Sequence, residues 1–156
     1  MVGTVSKDSP LFEITLRKYE KPYKLSKRDL VKKLCLSFGL LQPGDSRDII
    51  VDIFYIFLNS KKGKEYTISE LTDAVIAVRK QFKQPVFGVA ESNIRRQLRR
   101  LRELYLIEKK VTKYRLAENL SISEIFEEKI KGFILNSIVN RVEDYIKEVD
   151  TQFSLE

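Results

Sequence analysis

The chain has 156 residues, 43% hydrophobic and 33% charged, a balance that suits a folded globular protein with its own core. Histidine is absent and Cys35 is the single cysteine, which removes the usual zinc ligand sets, Ser–His and Cys–His nucleophile pairs, and any intramolecular disulfide. The net charge of +7 is uneven: residues 1–78 carry +3, residues 79–116 carry +9, and residues 117–156 carry −5, so the surplus sits in one quarter of the chain, as a polyanion-binding surface requires.

In chain order, Phe12-Glu13-Ile14-Thr15-Leu16-Arg17 alternates like a half-buried strand, and an extended arm fits equally well. Ser26 is a candidate N-cap with Asp29 three residues on. Leu30, Val31, Leu34, Cys35 and Phe38 then recur at helical spacing to about Leu40. Cys35 falls on that stripe and reads as a buried structural thiol. Gln42-Pro43-Gly44 breaks the chain, and Asp45 or Ser46 caps a second helix. Its run from Ile49 to Asn59 is apolar nearly all round, as in a helix buried between neighbours. Lys61, Lys62 and Lys64 mark an exposed basic turn. Thr67 and Glu70 form a capping box for a third helix that turns Leu71, Ala74, Val75 and Val78 inward. Lys83 to Gly88 is a loop.

The fourth helix, Ala90 to Tyr105, carries most of the charge. With Ile94 at zero and about 100° per residue, Leu98, Leu101 and Tyr105 all fall within about 40° of it, giving one narrow apolar face. Ser92, Arg96, Arg99 and Glu103 point the opposite way, and Asn93, Arg95, Arg100 and Arg102 lie on the shoulders. Five arginines on one helix repel each other unless an anion is near, and the planar guanidinium suits phosphate and the guanine edge. Glu91 with Arg95 and Glu103 with Arg99 are the available local pairs. Ser92 and Asn93 fit base contact and helix capping equally. Leu106 to Val111 and Lys113 to Leu116 follow as two short strands around a turn near Thr112, with Lys109 or Lys110, Lys113 and Arg115 outward and Tyr114 and Leu116 packing on the core.

The stretch GVAESNIRRQLRRLRELYLIEKKVTKYRLAE resembles the recognition helix, Leu-Ile step and charged wing of bacterial and archaeal winged helix-turn-helix domains. The resemblance covers residues 46–118 and implies a first helix at 46–60, a second at 68–81, a recognition helix at 90–105 and a wing at 107–117. The chain departs from the pattern at Tyr105, where the family usually has glycine, and in the loop containing Pro85 and Phe87. The implied fold is mainly α with a small β-hairpin wing, extended by an N-terminal arm and helix (1–44) and a C-terminal helix (120–156) around a DNA-binding domain (45–119).

Residues 122–149 read as one acidic amphipathic helix capped by Ser121 or Ser123. Phe126, Ile130, Phe133, Ile134, Ile138, Val142, Tyr145 and Val149 line its stripe, together with Ile122, at spacings closer to four than to a strict heptad. The helix either folds back on the first helix or forms a homodimer interface; the acidic charge, which keeps it off DNA, favours the dimer. The final Leu155-Glu156 reads as an expression scar.

The expected function is sequence-specific binding of double-stranded DNA by a homodimeric transcriptional regulator. DNA-contacting residues would be Ser92, Asn93, Arg95, Arg96, Arg99, Arg100, Arg102, Lys109, Lys110, Lys113 and Arg115, with Arg96 and Arg99 toward bases. A plasmid, viral or chromosomal architecture, replication or partition protein is an alternative, and a protein-interaction winged helix is another. No enzymatic activity, cofactor or metal is expected, since no phosphate-binding glycine motif accompanies the missing histidines. No small-molecule effector is readable. The absence of a long apolar run and of a signal-peptide pattern, with one cysteine, points to a cytoplasmic, non-membrane protein. Richness in Lys, Glu and Ile hints at a thermophilic source.

Overall fold

A computed structural model describes residues 7–117 and 120–153 of the chain. The expected boundary at 119/120 and the final Leu155-Glu156 lie outside the described residues. The elements are α1 (Lys27–Ser37), α2 (Ile49–Leu58), α3 (Ile68–Gln81), α4 (Glu91–Glu103), β1 (Ile107–Lys110), β2 (Lys113–Leu116), α5 (Ile122–Ile125), a π-helical stretch (Phe126–Leu135) and α6 (Asn136–Phe153). The protein is thus mainly helical, with one small antiparallel hairpin and a long C-terminal helix. Among the described residues, no helix is long and apolar enough to cross a membrane.

α2 is the hub. Nine of its ten residues are buried, and it packs against α1, α3, α4 and β2. That is the expected fate of a helix apolar on every side. Its N-cap is Asp48, without a side-chain cap bond. Of the expected caps, Asp45 instead accepts from the backbone N–H of Arg47 at 2.9 Å, a local turn that competes with starting a helix there. α3 begins with the capping box that its sequence encodes, Glu70 N–H to Thr67 Oγ1 and Thr67 N–H to Glu70 Oε1, each 3.1 Å.

Three helices end in the same way. At α1, Gly39 (φ 70°) donates to Leu36 O and Leu40 to Cys35 O. At α3 Lys83 (φ 55°), and at α4 Tyr105 (φ 61°), take the same left-handed place, with Gln84 bonding Arg79 O and Leu106 bonding Leu101 O. These are Schellman closures, which satisfy the last carbonyls and turn the chain sharply. At Tyr105 the Cβ makes this conformation costlier than for glycine, and contacts of the ring offset part of that cost. The ring packs edge-on to Phe133 at 6.3 Å, with Lys129 Nζ 5.9 Å from its centroid.

The core contains four charged side chains that join three elements. Arg28 of α1 reaches Asp52 of α2 (2.9 Å) and Asp48 (3.1 Å); Arg79 of α3 reaches the same two carboxylates at 2.7 and 2.8 Å. Arg79 also donates to the Pro85 carbonyl at 2.6 Å. All four are buried, Asp52 completely. Burial alone would raise the Asp48 carboxyl, but hydrogen bonds from Arg79 and Arg28 hold it below the usual range. Arg79, counted above within the basic quarter of the sequence, therefore adds nothing to an exposed cationic surface.

The segment 12–17 forms no strand. It is an extended arm that crosses the end of α1, with Arg17 N–H on Ser37 O (2.9 Å) and the Arg17 guanidinium on Leu36 O, Leu41 O and Gln42 Oε1. The arm passes so close to Gly39 that a Cβ there would stand 2.6 Å from Thr15 Cβ. Phe12 then reaches Phe133, centroids 5.9 Å apart.

Ser121 caps the C-terminal helix by accepting from Glu124 N–H at 3.2 Å. Its first part closes the core: Ile125 and Ile130 are fully buried, Ile134 nearly so, and Phe126 packs on Phe38 at 6.2 Å. Phe126, Ile130 and Ile134, expected at a homodimer interface, thus face the chain's own interior. The buried positions Ile125, Ile130 and Ile134 stand five and four residues apart. At about 100° per residue an α-helix would turn Ile130 and Ile134 about 140° and 180° away from Ile125, whereas the wider π-helical turn keeps all three on the body. Beyond Leu135 the helix is α again, and no residue of α6 is buried.

Candidate nucleic-acid interface

α4 is seated by Ile94, Leu98 and Leu101, all fully buried against α2 and α3. Truncating a side chain in that position costs about 2–5 kcal/mol, so the helix is held as a rigid element rather than laid on the surface. With that stripe inward, the helix turns Glu91, Ser92, Arg95, Arg96, Arg99, Arg102 and Glu103 to solvent. Arg95 makes a weak pair with Glu91 at 3.7 Å. The expected pairing of Glu103 with Arg99 is not formed, and Arg96, Arg99 and Arg102 have no ion pair among the described residues.

The shoulder residues behave differently. Asn93 donates to the Gly88 carbonyl at 2.7 Å and accepts from Gln97 at 3.1 Å. It therefore ties the preceding loop to the helix, whose N-cap is Ala90 without a side-chain bond. Ser92 stays exposed. Arg100 is half-buried and directed toward the body, donating to Gln97 Oε1 at 3.0 Å and approaching Gly39 O at 3.5 Å. It faces Cys35, whose thiol burial pushes up to about 12, a sulfur with no nucleophilic character near neutral pH.

The hairpin begins four residues after α4 and inherits its orientation from the turn at Tyr105. Leu106 and Ile107 are buried, and Ala117 N–H closes on Leu106 O at 3.2 Å. Tyr114 is buried and exchanges two 2.8 Å backbone hydrogen bonds with Tyr66, which fastens the hairpin to the segment before α3. In the observed register, Lys110 lies opposite Lys113, Lys109 opposite Tyr114 and Glu108 opposite Arg115. Arg115 is neutralised within the hairpin by Glu108 at 2.6 Å, whereas Lys110 and Lys113 are exposed like charges facing each other, with no ion pair among the described residues. Such a pair opposes the hairpin unless an anion sits beside it. Lys109 rests over the Tyr114 ring at 5.7 Å. Val111 at the tip is 87% exposed with φ 60°, a costly conformation for a β-branched residue that its sequence context did not announce.

Of the eleven side chains expected to meet DNA, the structure leaves Ser92, Arg95, Arg96, Arg99, Arg102, Lys109, Lys110 and Lys113 exposed on α4 and the neighbouring hairpin. Asn93, Arg100 and Arg115 are engaged within the chain. Beside α4 a cleft of about 550 Å³ runs between Arg47, Phe87, Arg96 and Arg100 over an apolar floor that includes Leu40 and Ile49. Phe87, part of the loop that departs from the family pattern, is 73% exposed at its rim. At the other end of the chain, Phe133, Val142, Tyr145 and Val149 are exposed and Ile138 is half-buried. Val139, Ile146 and Phe153, which the sequence reading passed over, extend the same apolar band.

Compared with protein-family models, with curated proteins and with solved structures, the chain matches none.

Proposed function

We propose that the protein binds double-stranded DNA as a winged helix-turn-helix, with α4 as recognition helix and the β1–β2 hairpin as wing, and that it acts as a homodimeric, sequence-specific transcriptional regulator. The observation that carries the reading is the exposed row of Arg95, Arg96, Arg99 and Arg102 on a helix rooted by three buried side chains, next to the exposed, mutually opposed Lys110 and Lys113. An α-helix of about 10–12 Å diameter fills a major groove about 12 Å wide. Arg96 and Arg99 then approach base edges, while Arg95, Lys110 and Lys113 meet phosphate and set the register. Arg102 lies toward the end of the helix nearest the hairpin and adds a backbone contact.

The buried Arg28–Asp52–Arg79–Asp48 cluster supports the reading indirectly. It locks α1, α2 and α3 together, and Arg79 also holds the loop at Pro85 that leads into α4. A preorganised helix loses less freedom on binding than one that must first be ordered.

Selection from a pool of random duplexes tests this reading. A recurring motif is the expected outcome, with Arg96→Ala relaxing the preference at particular base pairs. Uniform recovery of all sequences would remove sequence-specific regulation and favour an architectural role. Failure to retain any duplex at low salt would remove DNA binding.

A further inference from the structure

The protruding helix α6 carries a second signal that the core-facing stripe obscures. From the last residue of the π-helical stretch onward, Leu135, Ile138, Val142, Tyr145, Val149 and Gln152 follow at spacings of three and four, a heptad seam of about two and a half repeats. Val139, Ile146 and Phe153 recur every seven residues along one edge of it and widen the apolar surface. Tyr145, Ile146, Val142 and Val149 are each at least half exposed. The helix is 18 residues long, hence about 27 Å, and among the described residues nothing buries that band.

From this we infer that α6 pairs with α6 of a second copy in antiparallel orientation. The inference rests on the homodimer part of the function proposed above and specifies its geometry. Charge decides the direction. The edge opposite Val139, Ile146 and Phe153 carries Arg141 and Glu148, one repeat apart. In a parallel pair each of these would face an apolar residue of the other edge, Arg141 against Ile146 and Glu148 against Phe153, and neither charge would find a partner. In an antiparallel pair like edges meet. Arg141 of each copy then faces Glu148 of the other, twice by symmetry, while Val139 and Ile146 meet across the opposite side. The core layers in that register are Val142 with Tyr145 and Ile138 with Val149. Within the chain, Arg141 makes only a loose contact with the exposed Asp144 at 3.4 Å, and Glu148 accepts from Gln152 at 2.9 Å, so both retain capacity for a partner. The arrangement places the two bodies at opposite ends of the helix pair, their departure points at Ile134 about 28 Å apart. That separation is of the order of one turn of DNA, about 34 Å.

The test uses the full chain, whose own Cys35 is buried and protonated and so gives no cross-link. Ile138→Cys and Val149→Cys, each oxidised alone, are expected to remain uncoupled; mixed, they are expected to form a disulfide between copies. Disulfide formation by either variant alone, with none specific to the mixture, would overturn the antiparallel direction while leaving a dimer in place. Sedimentation equilibrium separates the remaining outcomes. The parent is expected to dimerise, Arg141→Glu to weaken association about tenfold, and Arg141→Glu with Glu148→Arg to recover it. A parent that stays monomeric at every concentration would overturn the homodimer reading as well. A dimer indifferent to Val142→Asp would show that another surface associates.

Discussion

Arginine serves two opposite purposes in this protein. Arg28 and Arg79 are withdrawn from solvent and matched by Asp48 and Asp52 at hydrogen-bonding distance. Arg96, Arg99 and Arg102, one helix away, are exposed and form no ion pair among the described residues. The first pair of guanidiniums is already discharged by its carboxylates and can only hold helices together. The second set contributes repulsion to the folded state and becomes favourable when an external anion arrives. Stability and binding are therefore expected to separate cleanly between the two groups.

The largest effect is expected inside. Asp52→Ala leaves two buried guanidiniums short of a partner and should lower unfolding free energy by about 3–5 kcal/mol in chemical denaturation. Replacing all four members with apolar residues of similar volume should recover much of that loss, because the cost comes from the unpaired charge. If Asp52→Ala were neutral, the cluster would not be what joins α1, α2 and α3. Gly39→Ala is next. It combines a left-handed φ of 70° with a Cβ 2.6 Å from Thr15, and should cost about 2 kcal/mol and release the arm to proteolysis.

Acid should act on the same cluster. The Asp48 carboxyl is held below its ordinary value in the folded chain, so its contribution is present above the unfolded value near about 3.9 and is lost as pH falls through the folded one. At the alkaline end the sign reverses for Cys35. Its thiol is pushed up to about 12, so the folded state keeps a proton that the unfolded state gives up, and stability declines from about pH 8.5 upward. Denaturation midpoints across pH check both limbs, and Cys35→Ala should flatten only the upper one. The smallest stability change is expected outside. Arg96→Ala and Arg99→Ala should stay within about 0.5 kcal/mol of the parent in denaturation while weakening DNA retention.

Much of this was legible where the signal is local. The capping box at Thr67 and Glu70, helix 68–81, the buried stripe of α4 and a hairpin turning near Thr112 all follow from spacing within a few residues. The buried cluster was not legible, because its partners lie 20 to 31 residues apart and each charge, taken alone, looks like a solvated one. Asp52 in the middle of Ile49 to Leu58 was the available clue: a carboxylate on an otherwise apolar helix must find a cation. The engagement of Arg100 and Arg115 was hidden for a related reason, since it depends on Gly39 and Glu108 being brought alongside. The C-terminal stripe was seen as one surface, whereas it is two. The change from steps of four to a heptad at Leu135 marks where the body ends and the free helix begins.

The most direct test of the central claim is the salt dependence of duplex binding. The logarithm of the binding constant for the parent should fall linearly with the logarithm of salt concentration, with a slope of about −0.9 for each phosphate neutralised. Lys113→Gln should reduce that slope by about one unit, and Arg28→Lys, with its buried cation kept, should leave it unchanged. A parent whose binding is weak and independent of salt, or a slope unmoved by Lys113→Gln and Lys110→Gln together, would contradict the assignment of α4 and the hairpin as the DNA-binding face.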